Sequence, residues 1–308
     1  MSTAVVFAYH DVGVRCLSVL LAQGIAVRHV FTHADDPNEN IWFGSVAELA
    51  RLHGIPLTLV GVGNHPGLTA SVTALQPDFL FSFYYRFMLP PEILALPSQG
   101  AFNMHGSLLP KYRGRVPINW AIIHGELETG ATLHEMAAKP DAGRWVDQLA
   151  VPILPNDIAI EVFRKVTVAA ETVLHRSLPR LINGTATLTP QNLAAGSYYG
   201  GRKPEDGRVN WSWSTAQIHN LIRAVAPPYP GAFCELKGKR LDLSGTLTLG
   251  AMTTITGQPA LLLHEDQLHL RCTDGGLLRL LQAAYDSQPL TPANFQKIFG
   301  TTSARLPD

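Results

Sequence analysis

Short apolar runs alternate with helix-like segments through the first half of the chain. Residues 14–22 repeat apolar side chains at helical spacing and stop before Gly24, where a helix commonly ends. The apolar, β-branched or aromatic runs that this pattern predicts as strands are residues 4–9, 26–32, 57–60, 79–83 and 101–104. The alternation predicts an α/β fold with a doubly wound, Rossmann-like, mainly parallel sheet, and it leaves the strand order open.

Two further helices are predicted in the same half. Ser45 and Glu48 have the spacing of a capping box, which predicts a helix start there and an end near Gly54. A longer helical pattern covers residues 158–182, with a break or kink expected at Pro179. Asn183 and Gly184 then provide a helix stop.

The pattern changes after about residue 195. Glycine and proline crowd residues 196–210, which is typical of a linker. A predicted helix at 215–226 and short alternating runs such as 232–236 and 268–272 follow. We therefore expect a catalytic domain at 1–195, a linker at 196–210 and a smaller, β-barrel-like C-terminal domain at 211–308.

Composition narrows the classes of partner. The 308 residues carry 24 Lys and Arg against 24 Asp and Glu, so no net charge attracts a nucleic acid or an anionic membrane. The 3 cysteines form no CxxC pair, and the N-terminal apolar run is too short for a signal segment, which favours the reducing cytoplasm. We expect small-molecule partners, neither nucleic acid nor membrane, and the sequence leaves assembly into a homo-oligomer open.

Several well-known motifs are missing from the sequence. Neither GxGxxG after the first strand nor GxxxxGK[ST] occurs, which argues against a dinucleotide redox enzyme and a nucleotide triphosphatase. HExxH is absent too, and we expect no metal site. His10 and Asp11 follow the first strand, where open α/β sheets bind ligands, but a polar strand-to-helix turn has the same sequence.

Asn103 and His105 are the first candidates for chemistry. They lie two residues apart at the end of a predicted strand, so both side chains point to one face near its carboxyl edge. Acyl transfer to an amine needs a hydrogen-bond donor for the oxyanion and a group that moves a proton. An Asn amide suits the first role and a His the second, although such a pair is also common where a strand enters a loop.

Asp141 lies in a Lys-Pro-Asp-Ala-Gly segment that is typical of a tight turn. If the fold brings it beside His105, its carboxylate would orient the imidazole and stabilise the charged ring. The basic run at 111–115 is the third candidate. It is either a solvated loop or a place where an Arg fork binds phosphate or carboxylate oxygens.

The run Asn-Met-His-Gly-Ser-Leu-Leu-Pro-Lys-Tyr-Arg-Gly at 103–114 resembles the signature of folate-dependent formyltransferases, the family of the methionyl-tRNA and glycinamide ribonucleotide enzymes. Asp-Ala-Gly at 141–143 matches that family's second signature. Residues 7–11, 31–33 and 82–86 are similar to the formyltransferase half of bifunctional polymyxin-resistance enzymes of the ArnA type. The likeness weakens toward the C-terminus, where residues 211–213 and 223–230 resemble the small β-barrel of these enzymes.

The resemblance implies a role for each matching residue. His105 would transfer the proton, Asn103 would stabilise the tetrahedral oxyanion and Asp141 would tune His105. The co-substrate would be 10-formyltetrahydrofolate, and no metal would take part. The implied folate contacts are Phe87, Met88, Leu89, Arg115, Ala137, Ala138, Lys139 and Pro140. The residues nominated for the nucleotide sugar are Tyr9, Arg113, Arg202 and Arg223.

The implied acceptor is UDP-4-amino-4-deoxy-L-arabinose, whose 4-amine is formylated on the way to lipid A modification and polymyxin resistance. A dTDP-linked amino sugar stays open, since it also presents an amine, a pyranose and a diphosphate. Methionyl-tRNA is the other alternative. Residues 200–308 carry 11 Lys and Arg against 9 Asp and Glu, a weak positive excess for gripping tRNA.

Overall fold

The chain forms two compact units. The computed structural model describes residues 1–37, 39–61, 67–249 and 257–307. The first unit consists of residues 1–117, 129–151 and 164–200, and the second of residues 118–128, 152–163 and the chain from residue 201 onward. The division into a catalytic domain, a linker and a C-terminal domain at 195 and 210 stays a prediction.

A mainly parallel sheet forms the centre of the first unit. The strands up to residue 200 are β1 (Thr3–Ala8), β2 (Ala26–His33), β3 (Leu57–Val60), β4 (Phe79–Phe83), β5 (Ala101–His105), β6 (Arg113–Gly114), β7 (Glu128–Glu135), β8 (Trp145–Pro152) and β9 (Tyr198–Tyr199). In the described residues seven of them form one sheet in the order β3-β2-β1-β4-β5-β7-β8. The first five run parallel and β7 pairs antiparallel with β5, so the predicted α/β class is confirmed.

Strand positions follow from burial. Phe79 to Phe83 is buried at every position, as expected for a central strand of a sheet that helices cover on both faces. Phe7 and Phe31 stack across neighbouring strands with ring centroids 4.8 Å apart, which adds to the apolar packing of β1 against β2. The order also reverses between β1 and β4, and open α/β sheets bind ligands beyond the strand ends at such a point.

The helices begin where the sequence provides caps. Ser45 accepts a hydrogen bond from the backbone N–H of Glu48 and starts a helix that ends at Leu52. Ser214 and Thr291 form capping boxes at two later helix starts. The helices are α1 (His10–Ala22), α2 (Val46–Leu52), α3 (Leu68–Leu75), α4 (Pro91–Leu94), α5 (Pro117–Ile123), α6 (Ala159–Ile182), α7 (Thr215–Val225) and α8 (Pro292–Phe299).

The long helix α6 differs from the prediction at Pro179. The helix is continuous from Ala159 to Ile182 with Pro179 inside it, so the expected break does not occur. Proline cannot donate to the carbonyl of His175 four residues earlier, and that carbonyl instead accepts Nε2 of Gln23 at 2.7 Å. The predicted stop is found, because Gly184 has a left-handed φ of 65° directly after the helix.

An antiparallel sheet forms the second unit. Its strands are β10 (Ala232–Leu236), β11 (Lys239–Thr248), β12 (Ala260–His264), β13 (Gln267–Arg271), β14 (Leu277–Tyr285), β15 (Gln288–Pro289) and β16 (Ser303–Arg305). In the described part of this unit the order is β10-β11-β14-β13-β12-β16, a curled half-barrel. The apolar faces of α7 and α8 pack with this sheet in one core that includes Trp211, Ile222 and Phe295.

The segment predicted as a linker contains local structure. A short 3₁₀ turn at Leu193–Ala195 directly precedes this segment, and another covers Pro204–Gly207 within it. Between them, β9 pairs in parallel with β6, which follows the Asn-x-His strand. Residues 198–199 are therefore tied to the segment beside the candidate site. Among the helices of the described residues, none is both long and apolar enough to cross a membrane.

Candidate active site

The candidate site lies at the carboxyl end of β5. Asn103 and His105 are on this strand, and their spacing of two places both side chains on the same side of the sheet. The neighbouring strand β7 runs antiparallel, with Asn103 opposite His134 and His105 opposite Thr132. Thr132 donates a hydrogen bond to the carbonyl of Ser107 over 2.6 Å, which fixes the start of the loop after β5.

The protonation sites of His105 are set by its two neighbours. Its Nε2 lies 2.8 Å from the carbonyl oxygen of Tyr112, and because a carbonyl only accepts, this nitrogen donates. The proton-accepting atom of the neutral ring is then Nδ1, which lies 3.6 Å from Oδ1 of Asp141. A proton taken up at Nδ1 is therefore stabilised by the carboxylate beside it.

Asp141 is held at the tip of a turn. Its φ is 51°, in the left-handed region that Asp tolerates better than most residues. Oδ2 accepts the backbone N–H of Gly114 at 2.8 Å, while Oδ1 faces His105 and, at 3.5 Å, Nε2 of His134. Burial by itself would raise the pKa of Asp141, but attraction to His105 and His134 in their charged forms, together with the Gly114 N–H, outweighs it and holds that pKa well below its usual range.

His134 forms a cluster with Asn103, His105 and Asp141, although it was not among the residues nominated from the sequence. Its Nδ1 donates to the carbonyl of Glu135 at 2.7 Å, so in the neutral ring Nε2 is an acceptor. The amide Nδ2 of Asn103 lies 3.1 Å from that Nε2 and donates to it. This bond fixes which end of the Asn103 amide is the NH₂ group. The second Nδ2 hydrogen has no acceptor among the residues that the structure describes.

The pairing of β6 with β9 holds the backbone groups that contact His105 and Asp141. Tyr112 donates its backbone N–H to the hydroxyl of Ser197 at 2.8 Å, and Arg113 donates to the Ser197 carbonyl at 3.0 Å. Gly114 has a φ of 97°, and a Cβ there would overlap the Tyr199 carbonyl oxygen. The two backbone groups that contact His105 and Asp141 are thus positioned by residues from the predicted linker.

The arrangement suits acyl transfer. An imidazole with a free Nδ1, a carboxylate beside it and an amide donor lie around one point at the end of β5. These groups can accept a proton from an attacking amine and stabilise a developing oxyanion. The described residues contain no group of three or more His, Cys, Asp or Glu that could hold a metal ion.

Two family models match the chain in sequence order. The model described as formyl transferase matches residues 62–178, which include the whole cluster. The model of the formyl transferase C-terminal domain matches residues 202–299. The chain belongs to the formyltransferase family.

Solved structures share the fold of this formyltransferase. A Helicobacter canadensis N-formyltransferase, in complex with folinic acid and dTDP-3-aminofucose, is 21% identical, with a TM-score of 0.73 over 94% of this chain and 100% of the other. A sugar N-formyltransferase from a Shewanella species is 20% identical, with a TM-score of 0.64 over 81% and 99%. HypX from Aquifex aeolicus, in complex with tetrahydrofolic acid, is 19% identical, with a TM-score of 0.64 over 96% and 47%.

The residues nominated for folate lie in two segments of this formyltransferase and at the single position 115. Leu89 is buried in the apolar core with Phe87 packed against that core, whereas Met88 is 52% exposed. Arg115 is exposed and its backbone N–H donates to the Tyr199 carbonyl at 2.9 Å. The second segment, Ala137, Ala138, Lys139 and Pro140, leads directly into Asp141.

The residues nominated for the nucleotide sugar have different surroundings. Tyr9 donates its hydroxyl to Asp35 at 2.8 Å and lies under the guanidinium of Arg86. Arg202 covers the ring of Trp120 and donates to the carbonyl of Asp206. Arg223 is buried and donates to Asn220 and to the carbonyls of Leu154 and Asp157. Arg113 belongs to β6, beside the cluster.

His10 and Asp11 form the turn from β1 into α1. Asp11 accepts the backbone N–H of Gly44 at 2.7 Å, and the His10 ring stacks on Phe43 with centroids 3.8 Å apart. Burial, together with the positive charge of Arg86, lowers the pKa of His10 to about 3, so the ring is neutral. Both side chains have local contacts that hold this turn.

Proposed function

We propose that the protein transfers the formyl group of 10-formyltetrahydrofolate to an amine of a nucleotide-linked amino sugar. The observation that carries the proposal is the convergence of Asn103, His105 and Asp141 at the end of β5, with Nδ1 of His105 3.6 Å from Asp141. Membership of the formyltransferase family supports the reaction type. The sugar N-formyltransferases that share the fold support the class of acceptor.

Each residue of the cluster has a separate task in this reaction. The acceptor amine attacks the formyl carbon, the new C–N bond forms, and the carbonyl oxygen becomes an oxyanion. The free Nδ2 hydrogen of Asn103 is suited to stabilise that oxyanion. Nδ1 of His105 takes the proton that the amine loses and returns it to N10 of the folate when the C–N10 bond breaks. Asp141 stabilises the imidazolium between these two transfers.

The folate is the co-substrate in this proposal, and the reaction needs no metal. It supplies a formyl carbon bound to N10. Phe87 and Met88 offer apolar surface, and Arg115 offers an exposed cation for an anionic tail. The 137–140 segment would contact the folate beside Asp141. The proposed location is the cytoplasm, where both small molecules are available.

The acceptor that we favour is UDP-4-amino-4-deoxy-L-arabinose, which would place the product in lipid A modification and polymyxin resistance. Support comes from the sequence likeness of residues 7–11, 31–33 and 82–86 to ArnA-type formyltransferase domains. A dTDP-linked amino sugar is the second candidate, because the Helicobacter canadensis structure with the same fold is in complex with dTDP-3-aminofucose. Both acceptors use the same chemistry at the cluster.

Methionyl-tRNA is a weaker candidate. A tRNA acceptor is gripped through many phosphate contacts, which require a surplus of cations. The chain has equal numbers of acidic and basic residues, and residues 200–308 carry 11 Lys and Arg against 9 Asp and Glu. Two of those cations, Arg202 and Arg223, donate to carbonyl oxygens of the protein itself.

A panel of acceptors tests the proposal. Purified protein and 10-formyltetrahydrofolate are incubated with UDP- and dTDP-linked amino sugars and, in parallel, with initiator methionyl-tRNA. We expect mass spectrometry to show a gain of one formyl group on a nucleotide sugar and none on the tRNA. The Asn103→Ala variant serves as the control for non-enzymatic formylation. Formylation of tRNA alone would show that the acceptor class is wrong.

A further inference from the structure

Arg113 is buried and has no counter-ion among the residues that the structure describes. The residue is 7% exposed, and its Nε and Nη1 atoms are buried with no hydrogen-bond partner in the described part of the chain. Within the residues that the structure describes, no ion pair of Arg113 is found either. A guanidinium remains charged in a protein, so the fold holds an uncompensated positive charge at this position.

Another buried arginine of the same chain shows how such a group is usually satisfied. Arg223 is 5% exposed, and its guanidinium donates to the carbonyls of Leu154 and Asp157 and to the side chain of Asn220. Most buried charged groups are paired or fully hydrogen-bonded, because an unpaired one reduces stability. No described residue does this for Nε and Nη1 of Arg113, and we infer that a group from outside the chain does.

The position of Arg113 ties that external group to the catalytic cluster. Its predecessor Tyr112 accepts the hydrogen bond of His105, and its successor Gly114 donates to Asp141. Both neighbours are fixed by the pairing of β6 with β9. An anion bound by Arg113 is consequently within one arginine side chain of the reacting groups.

We propose that the guanidinium of Arg113 binds a phosphate oxygen of the acceptor. Without the acceptor, the unpaired buried charge of Arg113 lowers the stability of the protein. The proposal rests on the proposed function and adds the residue that selects a phosphorylated amino sugar. An Arg fork binds two oxygens through the parallel N–H groups of Nε and Nη2, as Arg15 does with Glu171. Nε of Arg113 is a buried donor of that edge without a partner among the described residues.

The acceptor fits this place better than the folate does. In a nucleotide sugar only the pyranose ring separates the reacting amine from the diphosphate. In the folate, an aminobenzoyl group and an amide separate N10 from the glutamyl carboxylates. Arg113 lies between Tyr112, whose carbonyl accepts from His105, and Gly114, whose N–H donates to Asp141. Its guanidinium is therefore suited to an anionic group that is a short distance from the reacting amine.

Binding and stability measurements on one variant test the proposal. Arg113→Met keeps an unbranched side chain and removes the charge. Calorimetric titration first shows whether the wild-type protein binds UDP or dTDP. We expect Arg113→Met to bind that nucleotide at least about tenfold more weakly than wild type, since a bidentate charged hydrogen bond is lost. Affinity for tetrahydrofolate should stay within about twofold of wild type. The Tm without ligand should be equal or higher, because an unpaired buried charge is gone.

Two further variants make the outcome specific. Arg113→Lys keeps the charge without the fork and should recover only part of the nucleotide affinity. Arg15→Met removes an exposed arginine that is paired with Glu171, and it should leave both affinities unchanged. A lower Tm with unchanged nucleotide binding in Arg113→Met would make Arg113 structural. Loss of tetrahydrofolate binding alone would assign it to the folate. A wild-type protein that binds neither nucleotide would overturn both this proposal and the sugar acceptor.

Discussion

The amide nitrogen of Asn103 lies 3.1 Å from Nε2 of His134, a residue on the neighbouring antiparallel strand. His134 donates through Nδ1 to the carbonyl of Glu135, so Nε2 of the neutral ring is an acceptor. The Asn103 amide must therefore turn its NH₂ group, and not its oxygen, toward Nε2. His134 therefore orients the proposed oxyanion donor, the Asn103 amide, without contacting a reacting atom itself. His134 is a positioning residue, and its effect should appear in turnover.

Replacing His134 tests this positioning. We expect His134→Phe to lower kcat by about tenfold with little change in KM, since a misdirected donor weakens the transition state more than substrate binding. His134→Gln keeps a polar partner for the amide and should recover part of the loss. In the His134→Phe background, Asn103→Ala should cost less than in the wild type. Additive effects of the two changes would show that the residues act separately.

Asn103→Ala should lower kcat by about 100-fold to 1,000-fold, the range for loss of one oxyanion donor. Asn103→Asp is the matched variant, because it keeps the size and replaces the donor by a negative charge. It should be at least as impaired. Steady-state kinetics with the accepted amino sugar separates kcat from KM. A change confined to KM would make Asn103 a binding residue.

His105→Ala should lower turnover by about 100-fold to 10,000-fold, the usual effect of removing a positioned acid-base group. Tetrahydrofolate affinity, measured by calorimetry, should remain nearly unchanged. The ring is buried and its Nε2 is already bonded to the Tyr112 carbonyl, so we attribute the loss to Nδ1. Near-normal turnover in this variant would remove His105 from the mechanism.

Acid should destabilise the wild-type protein through Asp141. Its pKa in the folded protein lies below the ordinary value of 3.8. A carboxyl with a depressed pKa stabilises the fold above its unfolded pKa, and this contribution is lost as the pH falls toward the folded pKa. Asp141→Asn cannot titrate. We expect the free energy of unfolding, measured by urea titration from about pH 6 to pH 2.5, to fall more steeply below pH 4 for wild type than for Asp141→Asn. Parallel curves would contradict the depressed pKa.

The sequence was sufficient for the elements whose signals are local. Phe79–Phe83 is a strand with the predicted bounds, because a continuous apolar run specifies burial by itself. The Asn-x-His spacing on β5 likewise placed two side chains on one face. His134 could not be selected, since its role depends on the register of β7 against β5, a contact between distant stretches. No local pattern distinguishes it from the other histidines.

The glycine-rich segment after residue 195 contains structure that the sequence pattern did not predict. Its composition indicates a flexible linker, yet Tyr198–Tyr199 forms a strand with Arg113–Gly114. Two-residue strands have too few side chains to show an alternation, so sequence patterns miss them. The break allowed for at Pro179 also does not occur. The carbonyl of His175, which proline leaves without its helical donor, accepts a hydrogen bond from Gln23, a contact between distant stretches that no local pattern predicts.

Ser197 provides the last test, because it links the β9 segment to catalysis. Its hydroxyl accepts the backbone N–H of Tyr112 at 2.8 Å, and the carbonyl of Tyr112 accepts Nε2 of His105 at 2.8 Å. Ser197→Ala removes the first of these bonds, and Tyr112 can then shift relative to the imidazole. We expect kcat to fall by about threefold to tenfold, with KM unchanged and a stability loss of about 1–3 kcal/mol from the unsatisfied N–H.

A matched serine separates this effect from simple destabilisation. Ser214 accepts the backbone N–H of Gln217 at 3.3 Å at the start of α7, so Ser214→Ala also removes one hydroxyl acceptor. It should cost about 1 kcal/mol of stability and leave kcat unchanged. Both variants are assayed well below their Tm, and the pH profile of kcat is recorded for each. A displaced imidazole should alter that profile in Ser197→Ala alone. Equal kcat values for the two variants would show that β9 stabilises the fold without positioning His105.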